Sequence, residues 1–206
     1  NDLCNKFLMP EFWVTVSIAR KIEDEEADIV RLTEEQCRLL DHLRNHKQAL
    51  IQGYAGTGKK QLAVEKARRL AAEGRSALLM CFNAPLARYL ESMLRDAEGA
   101  VTVDNYHNLC ARMAEEAGIP FEVPPAEHKE ERRRFWNQEV PAILLKALDK
   151  LETRYDAVII DEGQDFRKEW TDSVLKLLKD GREGCLYIFF DERQNIYRGE
   201  LQFPVR

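Results

Sequence analysis

The chain has no C-x-x-C pair, no internal repeat, no low-complexity tract and no apolar run approaching the roughly 20 residues that cross a bilayer. Its five cysteines (Cys4, Cys37, Cys81, Cys110 and Cys185) are dispersed and odd in number. That pattern reads as reduced thiols in a cytoplasmic protein rather than as a disulfide framework. No signal-peptide pattern opens the sequence, and no membrane partner is expected. There is no excess of basic charge either. The net charge is −5, so any nucleic-acid contact has to be a local patch. With 206 residues and 45% hydrophobic content, the chain can bury the core of one large domain, or of one domain with an insertion. It begins with Asn1 rather than Met, and is expected to be an excised piece of a longer protein. Nothing in the sequence specifies an oligomeric state.

What is present centres on Gly53-Tyr54-Ala55-Gly56-Thr57-Gly58-Lys59-Lys60. A short apolar run, Ala49 to Ile51, precedes it, and a helical run from Gln61 to Glu73 follows. Strand, glycine-rich loop and helix form the context of a phosphate-binding loop. The glycines let backbone amides approach a triphosphate, and the helix N-terminus adds positive potential. Lys59 is the lysine that reaches the terminal phosphates. The pattern G-x-x-x-x-G-K-[ST] is met at Gly53, Gly58 and Lys59 and broken at Lys60, which stands where a hydroxyl would hold magnesium.

Residues 1–31 lack clear periodicity and read as a connector from an upstream region. Thr33 opens a helix, with Gln36 as its capping-box partner or, alternatively, as an adenine reader. His42 and His46 are one helical turn apart, but no third ligand is near, so they read as a solvated face. Strands are expected at 76–81, 100–103, 155–160 and 185–190, and helices from Pro85 to about Ala97, after Asp104 as a cap, and over 168–179. Residues 111–152 read as a helical insertion. Within them Lys129, Arg132, Arg133 and Arg134 mix with Glu127, Glu130 and Glu131, which leaves open a solvated face or a nucleic-acid contact. Solid apolar strands alternating with helices indicate an α/β fold with a parallel sheet covered on both faces.

Three strand ends carry polar residues, where open α/β sheets place their ligands. One gives the phosphate loop, the second Asp161-Glu162, the third Asp191 and Gln194. In phosphoryl transfer an acid at a strand end holds Mg²⁺, and a second acid orients or deprotonates the attacking water. Asp161 fits the first role and Glu162 the second. Gln164 and Gln194 are neutral hydrogen-bonders suited to sensing a γ-phosphate.

Asp161-Glu162-Gly163-Gln164-Asp165 resembles the D-E-A-Q-D box of superfamily 1, UvrD/Rep-like DNA helicases. Leu32 to Gln36 resembles their Q motif, Gly53 to Lys60 their ATP loop, Phe82-Asn83 their motif Ia, and Thr102 to His107 their motif Ib. Asp191 to Tyr197 resembles motif III, with Phe190 in place of its glycine. The resemblance runs in family order over residues 32 to 197. It implies a RecA-like P-loop NTPase domain over 32–206 that takes ATP and Mg²⁺. Gln36 would meet adenine. Gly53, Ala55, Gly56, Thr57, Gly58, Lys59 and Lys60 would surround the phosphates. Asp161 would hold Mg²⁺, and Gln194 would couple the γ-phosphate to DNA. Phe82, Asn83, Tyr106, His107 and Tyr197 would lie towards single-stranded DNA, since aromatics stack on bases without demanding a sequence. For Tyr106 the alternative is core packing, and for His107 a hydrogen-bonded helix residue.

Two departures qualify that expectation. A lysine at 60 should weaken Mg²⁺ binding by repulsion and a lost ligand; alternatively, its ammonium could partly substitute for the metal's charge on the β- and γ-phosphates. Nucleotide binding with impaired hydrolysis is predicted, and a switch or scaffold module stays open. The sequence also ends soon after motif III, before any arginine-bearing second motor domain, so this piece is not expected to unwind DNA without that partner.

Overall fold

A computed structural model describes residues 34–54, 56–97 and 99–191, apart from the side chains of 34–37. Five strands form one sheet: β1 Gln48–Gln52, β2 Ala77–Cys81, β3 Val101–Asn105, β4 Ala157–Ile160 and β5 Cys185–Phe190. Their order is β1-β5-β4-β2-β3, and every pairing is parallel. The helices are α1 Glu34–His42, α2 Lys59–Ala72, α3 Ala84–Met93, α4 Tyr106–Glu116, α5 Lys129–Arg134, α6 Val140–Leu148 and α7 Lys168–Val174. The expected α/β architecture, a parallel sheet flanked by helices, is present.

The strand sequences explain the two-sided cover. β2 and β4 are buried at every position, and β5 at all but its last. Successive side chains in a strand point to opposite faces. Leu78, Met80, Val158, Ile160, Leu186 and Ile188 therefore join one core with α4, α6 and α7. Ala77, Leu79, Cys81, Ala157, Ile159, Tyr187 and Phe189 join the other with α1, α2 and α3. Fully burying one such aliphatic side chain contributes about 1.5–3 kcal/mol, so these three strands anchor the domain. Among the described residues β1 and β3 are the outer strands, and Leu50 on β1 is 43% exposed.

Several element ends differ from expectation. α3 stops at Met93 and continues only as a 3-10 turn, Arg95–Ala97. α7 ends at Val174 with a 3-10 turn, Leu175–Leu177, which frees Leu178 to bridge Tyr155. β4 starts at Ala157 rather than Tyr155. The cap of α4 is Asn105, not Asp104: Asn105 Oδ1 accepts from the Asn108 N–H at 3.1 Å, while Asp104 accepts from the Asn105 N–H and from Arg112. The expected pairing of Thr33 with Gln36 lies outside the described residues.

Residues 117–128 are without helix, and α5 to α6 form one rod interrupted by a π stretch, Phe135–Glu139. Pro141, in the first turn of α6, gives the reason. Proline has no N–H, and its ring clashes with the carbonyl four residues back, so the helix widens there. The Val140 N–H then goes to the Phe135 carbonyl, five residues back. The Trp136 carbonyl is left for a side chain, and Trp170 Nε1 donates to it at 3.0 Å. One proline in α6 thus fixes a cross-link to α7.

Candidate nucleotide site

β5 lies between β1 and β4; β1 and β5 end level, and β4 ends two residues short of β5. Gln52 pairs with Phe190, Ile188 with Ile160, and Ile160 with Met80. Gly53 and Asp191 therefore emerge side by side, and Asp161 follows β4 at the same rim, level with Phe189. The Gly53 N–H donates to the Phe190 carbonyl, and the Asp161 N–H to the Met80 carbonyl.

The loop after β1 is shaped by its glycines. A Cβ on Gly53 would meet Thr57 Oγ1 at 2.5 Å, and Gly58, the N-cap of α2, has φ 79°, a left-handed value that favours glycine. Thr57 Oγ1 donates to the Tyr54 carbonyl at 2.7 Å, which folds the loop back on itself. α2 then opens with Lys59 and Lys60 and has no acid in its first turn and no side-chain cap. Its orphan N–H groups and dipole carry only positive character, the setting for an anion. Lys59 is 8% exposed, and its Nζ donates to the Gly53 carbonyl at 2.8 Å and the Tyr54 carbonyl at 2.9 Å. Asp191 Oδ2 is 3.9 Å away.

Asp161 is fully buried, and neither carboxylate oxygen has a hydrogen-bond partner of good geometry. Burial first, and the Glu162 carboxylate second, push its acid up to about 6, while Lys60 and, more weakly, the Glu162 backbone N–H and Lys59 pull the other way. Glu162 sits at φ 55°, a strained value for a residue with a Cβ, and such strain gathers at functional sites. Gln164 joins the two acidic strand ends: its Nε2 donates to Glu162 Oε2 at 2.7 Å and its Oε1 accepts from the Asp191 N–H at 2.9 Å. Both ends of this amide are engaged by protein, so it is a bracket rather than the expected sensor of a phosphate.

A divalent cation finds half of a site here. Asp161 is a buried carboxylate without a partner, which suits a cation. The hydroxyl that would share the ion is missing: Lys60 takes its place in the sequence, and the Lys60 ammonium lies over the Tyr89 ring. The donor set therefore does not fit Mg²⁺ as G-K-[ST] loops hold it.

The residues expected near single-stranded DNA divide. Phe82 is half-buried and Asn83 exposed, with Asn83 Oδ1 capping α3 through the Leu86 N–H at 2.8 Å. Tyr106 is a correction: it is fully buried, stacked on Trp170 at 5.0 Å, with its hydroxyl 2.9 Å from Ser173 Oγ, so no base can stack on it. His107 is half-buried among Phe82, Tyr106, Trp136 and Trp170, and desolvation pushes its imidazole down to about 4. Gln36 falls on α1, but its side chain, like Ala55, Gln194 and Tyr197, lies outside the described residues. Sequence reasoning placed Asp191 at the third strand end but gave it no role of its own; its contact with Lys59 depends on β1 and β5 being neighbours.

This loop, on a parallel sheet with acids at the neighbouring strand ends, defines a P-loop nucleotide-binding fold. The AAA domain family matches residues 36–200, and the chain belongs to it; this is a P-loop NTPase domain found in UvrD/Rep-like helicases. Domains of this class typically bind nucleotide with Mg²⁺. No curated protein matches the chain. Among the described residues no helix is long and apolar enough to cross a membrane, and no three metal-binding side chains cluster.

Proposed function

We propose that this chain is the ATP-binding core of a UvrD-like DNA helicase or related DNA-dependent ATPase, in which nucleotide state is coupled to single-stranded DNA. The observation that carries the reading is the placing of Gly53, Asp191 and Asp161 after the C-terminal ends of three adjacent parallel strands, with Lys59 between loop and acid. The loop amides and Lys59 bind the β- and γ-phosphates, Gln36 meets the adenine, and Glu162 orients the attacking water. Gln194 links the γ-phosphate to DNA lying near Phe82, Asn83, His107 and Tyr197. Residues 32–206 act as one RecA-like domain with 111–152 as an insertion, and unwinding requires a second motor domain.

Lys60 favours a second reading: a module that binds nucleotide and DNA but hydrolyses slowly, working as a switch. The test is ATP turnover by the wild-type chain, Lys59→Ala and Lys60→Thr, with and without single-stranded DNA, beside direct ATP binding. ATP binding abolished by Lys59→Ala supports the core reading, and a rate gained by Lys60→Thr supports the switch. A chain that binds neither ATP nor single-stranded DNA refutes both.

A further inference from the structure

Lys60 is the residue of the loop whose chemistry the motif does not explain. Its ammonium lies 5.3 Å from the centroid of the Tyr89 ring on α3, and the side chain is half-buried. Such a contact at an exposed ring is weak, so the four-carbon stem can swing away from it. Lys59, by contrast, is already bonded to two loop carbonyls and faces Asp191. Asp161, just past the end of β4, is fully buried, and neither oxygen has a hydrogen-bond partner of good geometry. Of the two lysines, Lys60 relieves that carboxylate more. A tethered, movable positive charge in the first turn of α2 and a buried carboxylate at the end of β4 are thus both available to a phosphate held by the loop.

We propose that the Lys60 ammonium replaces the divalent cation, neutralising Asp161 on one side and the β- and γ-phosphate oxygens on the other, so that this pocket takes a nucleoside triphosphate as the metal-free anion. The inference rests on the nucleotide-binding reading above. A tethered ammonium supplies positive charge without the cost of gathering an ion, and it repels a divalent ion brought to the same spot. It does not polarise a phosphoryl group as a divalent metal does. Tight binding with slow turnover follows.

The experiment is equilibrium binding of ATP, read by calorimetry, in excess MgCl₂ and in excess EDTA, for the wild-type chain and for Lys60→Thr. The wild-type affinity is expected to change by no more than ~3-fold between the two conditions, and that of Lys60→Thr to fall by ~10-fold or more when the metal is chelated. Mn²⁺ provides a second readout: its water-relaxation enhancement with ATP is expected to be small on the wild-type chain and larger on Lys60→Thr. A wild-type chain whose ATP affinity falls by ~10-fold or more on chelation overturns the inference and leaves the nucleotide reading standing. Absence of ATP binding to both proteins in both conditions overturns the two together. The wild-type comparison needs no variant, so it stands even if Lys60→Thr misfolds.

Discussion

Lys59 Nζ stands 3.9 Å from Asp191 Oδ2, with the two side chains only 9% and 3% exposed. The contact ties the first turn of α2 to the end of β5, so the phosphate loop is braced against the strand next to it. Burying both charges is costly, and each offsets the other's desolvation. A double-mutant cycle with Lys59→Met and Asp191→Asn, followed by urea unfolding, should return a coupling of about 1–3 kcal/mol. Each single change should cost about 2–3 kcal/mol, and the double change less than their sum. Strict additivity would show that the two charges do not brace each other.

Gly53 is held to glycine by contact rather than by backbone angle. A Cβ at this position would stand 2.5 Å from Thr57 Oγ1, too short for any real pair, while the other near atoms, Lys59 Cγ and Cδ at 3.1 and 3.3 Å, belong to a flexible stem. Gly53→Ala should therefore lower stability by about 1–3 kcal/mol through overpacking. Adding Thr57→Ala removes the blocking hydroxyl and should restore at least half of that loss in thermal melts. If the double variant melts no higher than Gly53→Ala alone, the clash lies elsewhere in the loop.

The π stretch yields a third expectation. Trp170 Nε1 donates to a carbonyl that the helix itself cannot satisfy, because Val140 bonds one residue further back and Pro141 has no N–H. Trp170→Phe keeps much of the stacking on Tyr106 and Phe82 but leaves the Trp136 carbonyl without its donor. The expected loss is about 1–3 kcal/mol. A cost below ~0.5 kcal/mol would mean that water replaces the indole without penalty.

How far the sequence discloses all this depends on the range of the forces involved. β4 and β5 were readable because a strand buried on both faces must be apolar throughout, and an acid at its end breaks the run visibly. The loop was readable because glycine and lysine spacing is itself the chemistry. Helix ends were less so: Asn105 displaced Asp104 as cap because Asp104 is engaged by Arg112, a choice between neighbours of similar propensity. The burial of Tyr106 was decided by Trp170 and Ser173, more than sixty residues away in the chain, and no local pattern announces that. The same holds for Gln164, whose bracket needs β4 and β5 to be adjacent before it has anything to join.

Asp161 makes a fourth prediction, in which function and stability oppose each other. Its carboxyl is pushed from 3.8 up to about 6 by burial and by Glu162, so the folded chain holds its proton more tightly than the unfolded chain does. Stability from this group is therefore greatest below about pH 4, declines as pH rises towards 6, and stays reduced above that. His107, pushed down to about 4 by desolvation, has the opposite sign: its contribution is present above pH 6.5 and is lost on acidification. Comparing wild type with Asp161→Asn cancels the His107 effect and isolates the carboxylate. At pH 7.5 Asp161→Asn should be more stable than wild type by about 1–3 kcal/mol, since it removes a buried charge whose burial outweighs the help it receives from Lys60, Lys59 and the Glu162 N–H. By pH 4 the difference should vanish, because both proteins then carry a neutral group there. Urea unfolding across that range reads the effect directly. An Asp161→Asn chain less stable than wild type at pH 7.5 would show that the carboxylate is satisfied in the fold and does not wait for a cation.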